Sequence, residues 1–258
     1  MLVDSHCHLE YKGLVEDQAG VLMRAREAGV GAFLNISTKQ SEWQQVVATA
    51  EREADVFASV GIHPHEADKH EDLGRASLLG ATQNTCVIGI GETGLDYYYE
   101  HSQRDTQAKL FRMHIDVARE TGLPVIIHTR DAEDDTYEIL VDEMEKGAFP
   151  ALIHCFTASA KFGRKVVDLG LSISLSGIVT FKNAKDLQAV AQKVPDDRLL
   201  VETDSPFLAP VPHRGKPCEP AFVANTAQFL AELRGTTPEH LAEQTTSNFM
   251  KLFAKAEL

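Results

Sequence analysis

No excess of positive charge, no paired cysteines and no long apolar run mark this sequence, and each absence removes a class of protein. Its 258 residues carry 25 Lys and Arg against 38 Asp and Glu, a formal charge of −13 with the 11 histidines neutral. Proteins that coat duplex DNA draw their non-specific affinity from a broad basic surface, so that class is excluded; a small anionic substrate held in one pocket is not. The four cysteines, Cys7, Cys86, Cys155 and Cys218, form no C-x-x-C pair, which removes zinc ribbons and thioredoxin-like motifs and suits free thiols in a reducing compartment. Asp4 and His6 stand where a signal peptide needs a basic start and an apolar stretch, and no apolar run reaches membrane-spanning length. A cytoplasmic protein with no membrane partner is expected. Low-complexity tracts and long linkers are missing too, and a composition of 43% hydrophobic and 24% charged residues predicts one globular domain over residues 1–258.

What is present is a repeated unit: a short apolar run rich in β-branched residues, a polar turn, a helical stretch, then Gly or Pro. The runs predicted as strands are 2–6, 30–37, 55–61, 86–91, 124–128, 151–154, 171–175 and 198–202. In the stretch after 102, Ala108, Phe111, Ile115 and Ala118 recur at helical intervals, with Ser102 as the expected N-cap and Gly122 as the stop. Eight nearly continuous apolar strands separated by helices predict an α/β fold, a (β/α)8 TIM barrel of parallel strands buried on both faces. The Gly-rich first turn of a doubly wound sheet is absent. Helices near 222–233 and 239–253 are expected to pack outside and close the ring.

Chemistry in such a barrel sits at the C-terminal ends of the strands. His6 and His8 end the first strand, Glu92 follows the fourth, His128 ends the fifth, His154 ends the sixth and Asp204 follows the eighth. The H-x-H spacing points both imidazoles the same way, so Cys7 faces away, and the same alternation turns Cys155 away. Four imidazoles and two carboxylates exceed what one tetrahedral ion needs and suit two divalent ions. The expected arrangement is His6, His8, Glu92 and Asp204 around one ion and Glu92, His128 and His154 around the other, with Glu92 as the bridge. Two carboxylates against two dications leave about +2 at the mouth. Imidazole-rich sites favour Zn or Mn over Mg, and no organic cofactor is needed.

His63 and His65 end the third strand; His63 is expected to contact substrate phosphate or a ligand, and His65 is left open. His70, His101, His114 and His240 read as surface or packing residues. Arg130, Lys182, Arg214 and Lys216 lie in loops at the same end, with Arg130 and Arg214 the expected phosphate contacts. Tyr97, Tyr98 and Tyr99 offer either a stacking face for a base or one side of a buried loop.

Asp4-Ser-His-Cys-His, Gly61-Ile-His-Pro-His, Gly91-Glu-Thr-Gly-Leu-Asp-Tyr, Pro124-Val-Ile-Ile-His-Thr-Arg-Asp, His154-Cys-Phe and Val201-Glu-Thr-Asp-Ser-Pro together resemble the signature segments of the TatD family of metal-dependent deoxyribonucleases. The likeness runs from residue 2 to about 253. It implies a TIM barrel of the amidohydrolase superfamily, a divalent-metal centre (Zn, Mg or Mn) and hydrolysis of phosphodiester bonds, often as a 3′-to-5′ exonuclease on single-stranded or damaged DNA. The family's metal ligands fall on His6, His8, Glu92, His128, His154 and Asp204, and its phosphate-contacting histidine on His63. Glu202 then orients a ligand or the Arg214 loop. The chain departs from the family pattern at Pro217 and Cys218, where a basic or polar residue and then Asn are usual, and at Thr129, where Ser is common. The expected chemistry is attack of a metal-activated water on phosphorus, with Glu92 and His63 in the catalytic set and Asp204 taking the proton. DNA ends or single strands are the expected partner, with no obligate protein partner. An ester or amide hydrolase, such as an aminoacyl-tRNA deacylase, is the alternative, and a non-catalytic metal-binding barrel the third reading.

Overall fold

A computed structural model describes residues 1–257. Eight strands form one sheet in the order of the chain: β1 (Leu2–Cys7), β2 (Val30–Asn35), β3 (Val56–Val60), β4 (Val87–Asp96), β5 (Val125–Arg130), β6 (Ala151–Ile153), β7 (Ser172–Leu175) and β8 (Leu199–Val201). Every neighbouring pair is parallel. The ring closes between its two ends through a Cys7–Ser205 bridge and the hydrogen bonds Ser5 Oγ to Val201 O (2.9 Å), Asp204 N to His6 O (2.9 Å) and His8 N to Ser205 O (2.9 Å). The barrel and its helical coat follow the sequence expectation. Among the described residues no helix is long and apolar enough to cross a membrane.

The helices between strands are α1 (Gln18–Glu27), α2 (Trp43–Arg52), α3 (Arg75–Ala81), α4 (Arg104–Thr121), α5 (Glu133–Lys146), α6 (Ala160–Asp168) and α7 (Lys185–Ala191), followed by α8 (Val223–Arg234) and α9 (Pro238–Leu252). α4 buries Leu110, Phe111, Ile115 and Ala118 and stops at Gly122, whose φ of 73° is the left-handed cap that glycine takes without steric cost. Its N-cap is Gln103 and not Ser102. The Ser102 hydroxyl is committed elsewhere: it donates to His65 O (3.0 Å) and accepts from Asp68 N (3.2 Å), tying the loop after β3 to the start of α4.

Alternation along the strands sorts side chains into two apolar layers. Val125 and Ile127, Ala151 and Ile153, and Leu199 and Val201 pack toward the helices, while Ile126, Leu152 and Leu200 join Val3, Leu34 and Ile88 in a second cluster. Two residues beyond that inner layer come His128, His154 and Glu202, so the period of two delivers polar groups from the barrel floor to its upper end. α9 departs from the expected purely external role: its Phe249 and the Phe253 that caps it are fully buried in the inner cluster and plug its lower end.

β4 is the other departure. It continues five residues past the predicted end at Gly91, through Glu92 to Asp96. Gly61 and Gly91 permit this by close approach of adjacent backbones: a Cβ on Gly61 would stand 2.4 Å from the Gly91 Cα, and one on Gly91 2.6 Å from Ile126 O, with Gly91 at φ 146°.

Candidate metal centre

All six expected ligands meet at the C-terminal mouth of the barrel. His6 and Glu92 are buried within strands, His8 follows β1, His128 lies in β5, His154 follows β6, and Asp204 sits three residues beyond β8 at φ 59°. A cavity of about 640 Å³ opens above them.

In three of the four histidines the other ring nitrogen has a partner that orients the ring; buried His6 Nδ1 has none among the described residues. His8 Nδ1 lies 3.2 Å from Ile36 O, a group that only accepts, so Nδ1 carries a proton and Nε2 is the ring atom left to bind a metal. His154 Nδ1 donates to Glu202 Oε1 (3.3 Å), again freeing Nε2. His128 is turned the other way: Nε2 donates to Asp96 Oδ2 (3.0 Å) and Nδ1 faces inward.

Around Glu92 Oε2 the donor atoms stand at 3.3 Å (His6 Nε2) and 3.9 Å (His8 Nε2). His6 Nε2 is 3.3 Å from His8 Nε2, and Asp204 Oδ1 is 3.7 and 3.5 Å from the two imidazoles. With metal–ligand bonds of about 2.0–2.2 Å, donors of a four-coordinate ion stand about 3.3–3.6 Å apart. Donor atoms facing one another at 3.3–3.9 Å, close to that spacing, fit a cation between them.

Glu92 Oε1 faces a second group: His154 Nε2 at 2.8 Å, His128 Nδ1 at 3.0 Å and His63 Nε2 at 3.4 Å, with His154 and His128 3.5 Å apart. The two oxygens of one carboxylate therefore address two donor sets. His63 differs from the others. Its Nδ1 accepts from His65 N (3.0 Å), so the neutral ring carries its proton on Nε2 and is a hydrogen-bond donor toward the mouth. Burial pulls its pKa down to about 4, which keeps the ring neutral at physiological pH. His6, His154 and Glu202 form a third grouping, but the proton on His154 Nδ1 leaves no lone pair there.

Burial disfavours charge on Glu92 and Asp204, yet both are held below the usual carboxylate range by the surrounding histidines; the same carboxylates raise His8, His128 and His154 against burial, and the inward-facing protons they favour are the ones a bound cation would displace. Asp4 meets the opposite fate: burial pushes it up to about 8. It accepts from His6 N (3.3 Å), Thr203 N (2.9 Å) and Thr203 Oγ1 (2.6 Å), clasping β1 to the loop that carries Asp204.

Glu202, predicted to orient a ligand or the Arg214 loop, does the first, accepting from His154 Nδ1 and from Cys155 N (2.8 Å). Cys7 is buried as expected. Cys155 is not turned away: β6 ends at Ile153, so alternation has lapsed, and at φ 42° Cys155 lines the mouth with its Sγ 3.2 Å from Ser176 Oγ. Arg130 lines the mouth, its guanidinium 4.0 Å from the Tyr98 ring and 4.7 Å from Tyr99, without a hydrogen-bond or carboxylate partner among the described residues. Arg214 lies over the Phe181 ring (4.4 Å), and it, Lys182 and Lys216 are exposed outside the cavity lining. Tyr98 and Tyr99 are exposed, whereas Tyr97 donates to Asp135 (2.6 Å). His114 is a packing residue, as expected: Nδ1 donates to Leu110 O and Nε2 accepts from Ile62 N.

Asp96 was not among the expected site residues. Fully buried, it accepts from His128 and from His65 Nε2 (2.8 Å) through Oδ2, and from Tyr98 N and Tyr99 N (3.0 Å each) through Oδ1. The signal was present in the sequence: Glu92, Gly94 and Asp96 alternate, and Asp96 shares the Glu92 face once β4 is extended past Gly91.

The model of the TatD related DNase family matches residues 3–254. The Escherichia coli (strain K12) protein named uncharacterized metal-dependent hydrolase YcfH is 44% identical over 255 residues, covering 98% of this chain and 95% of that protein. Its Bacillus subtilis (strain 168) counterpart YabD is 39% identical, covering 98% and 99%. Among solved structures, YJJV, a TatD homologue from Escherichia coli K12, superposes with a TM-score of 0.91 at 29% identity over 98% of both chains. An organophosphorus hydrolase from Deinococcus radiodurans shares the fold at a TM-score of 0.63 and 17% identity, covering 98% of this chain and 91% of that one.

Proposed function

The chain belongs to the TatD-related DNase family of metal-dependent hydrolases, and from that membership we propose that it hydrolyses phosphodiester bonds of DNA, acting at ends or in single strands. The observation that carries this reading is the mouth itself: Glu92 faces one donor set with each oxygen, and the Nε2–H of His63 and the unpaired fork of Arg130 border the same cavity. Divalent ions held by His6, His8, Glu92 and Asp204 and by Glu92, His128 and His154 would supply the Lewis acidity and the activated water that hydrolysis at neutral pH requires.

The side chains divide the remaining work. His63, neutral and protonated on Nε2, donates to a non-bridging phosphoryl oxygen as charge builds there. Arg130, pinned by two tyrosine rings, takes a neighbouring phosphate through two N–H groups. Asp204, ionised and at the mouth, holds the nucleophile's proton on a carboxylate oxygen and passes it to the leaving group. Asp96 and Glu202 hold His128 and His154 in the tautomers that point a lone pair inward.

A panel of bis(4-nitrophenyl) phosphate, 3′-labelled single-stranded DNA and an aminoacyl-tRNA, each assayed with Zn, Mn and Mg, tests the reading. Turnover of the first two and not the third is expected. Absence of phosphodiester turnover with every metal, or turnover confined to aminoacyl-tRNA, would overturn it.

A further inference from the structure

The two sides of the mouth differ in chemistry. On the β3–β5 side stand His63, His65 and Arg130. On the β7–β8–β1 side, beyond His8 and Asp204, an apolar arc of Tyr11, Ile178, Phe207 and Leu208 lines the mouth. Phe207 is half exposed; across the mouth Tyr99 joins Arg130 in the lining, and exposed Tyr98 backs the same guanidinium from outside it. Phe residues elsewhere are buried or partly buried. An exposed phenylalanine three residues past a ligand carboxylate is a surface that folding alone does not favour.

The backbone holds it there. Phe207 N donates to Asp204 O (2.9 Å), and Leu208 at φ 58° occupies the left-handed region that a leucine rarely adopts. A Cβ on Gly177 would stand 2.1 Å from Leu208 O, so the loops after β7 and β8 are pressed together. Neighbouring rings meet Phe207 at steep angles, His8 at 69° (6.4 Å) and Tyr11 at 84° (6.1 Å), and none stacks parallel on it. A strained, backed turn thus presents an aromatic ring beside the Asp204 and His8 donors.

We propose that this apolar arc, centred on Phe207, is a nucleobase subsite. The base of the nucleotide next to the scissile phosphate stacks on Phe207, and the sugar-phosphate chain runs toward Arg130. The proposal rests on the phosphodiesterase reading and adds that the enzyme holds the base itself, by stacking on Phe207, and not the backbone alone.

The test compares kcat/KM for a short oligothymidylate with that for the same backbone carrying tetrahydrofuran residues in place of nucleosides. In the metal-loaded wild-type protein the ratio is expected to exceed about ten, to fall toward one in Phe207→Ala and to recover in Phe207→Trp. Equal turnover of both oligomers by the wild type, or a Phe207→Ala variant that lowers both in proportion, overturns the subsite. Fluorescence of a phosphorothioate-linked oligomer containing 2-aminopurine gives a readout independent of turnover: quenching on binding to wild type and to Phe207→Trp, but not to Phe207→Ala, supports stacking. Quenching without hydrolysis of any phosphodiester would retain the subsite and defeat the phosphodiesterase reading. Hydrolysis with quenching unchanged in Phe207→Ala would do the reverse.

Discussion

At the mouth of the barrel the placement of one proton separates the proposed metal ligands from the proposed phosphate donor. His8 and His154 give their Nδ1 protons to Ile36 O and Glu202, and His128 gives its Nε2 proton to Asp96, so each turns a lone pair inward. His63 accepts on Nδ1 and turns a proton inward. Sequence spacing could place His6, His8, His128 and His154 on one surface, because alternation sets direction, but it could not assign tautomers, which depend on contacts between distant strands. Removing the bridge should remove metal: Glu92→Ala is expected to bind at least one ion fewer than wild type in elemental analysis and to lose most turnover. Asp96→Ala frees the His128 ring and is expected to weaken metal affinity about 10- to 100-fold in a chelator competition, with the fold retained by circular dichroism. Arg130→Ala should raise KM for a phosphodiester about tenfold, and Arg214→Ala by less, because Arg130 borders the cavity and Arg214 rests on Phe181.

Strands carry these residues, and β4 shows where reading them from sequence stops. Ile126-x-His128, Leu152-x-His154 and Leu200-x-Glu202 are legible as inward-facing pairs because unbroken apolar runs lead into them. β4 is predicted to end at Gly91 and runs on to Asp96; the close backbone approach that Gly91 permits appears only when β3 and β5 are beside it, and Asp96 lies in the added segment. For α9, helical periodicity revealed an apolar face but not that Phe249 and Phe253 enter the barrel floor, since a stripe does not name its partner. Gly91→Ala would place a methyl 2.6 Å from Ile126 O at a φ of 146°, at a cost of about 2–5 kcal/mol. A fall in Tm of about 5–15 °C in calorimetry is expected; an unchanged Tm would mean that the β4 path is wrong.

Across the whole molecule, a charge of −13 surrounds a mouth built to hold cations. Under the proposed phosphodiesterase activity that pairing would favour a chain end or a flexible single strand, since the exterior repels the rest of a long polyanion. Stability carries a pH signature of its own. Burial lowers the His114 pKa to about 4 from an ordinary 6.5, so between those values the unfolded chain binds a proton that the folded chain does not. Stability contributed by the neutral ring is full above pH 6.5 and declines as pH falls toward 4, by about 3 kcal/mol. Urea unfolding of wild type and His114→Gln at pH 7, 5.5 and 4 should show a steeper acid loss in the wild type. The central claim is that Glu92 joins two ions, and anomalous diffraction from crystals grown with zinc or manganese tests it most directly. Two peaks are expected, one among His6, His8, Asp204 and Glu92 Oε2 and one among His128, His154 and Glu92 Oε1. A single peak, or a second ion bound by His63 in place of His128, would contradict the account.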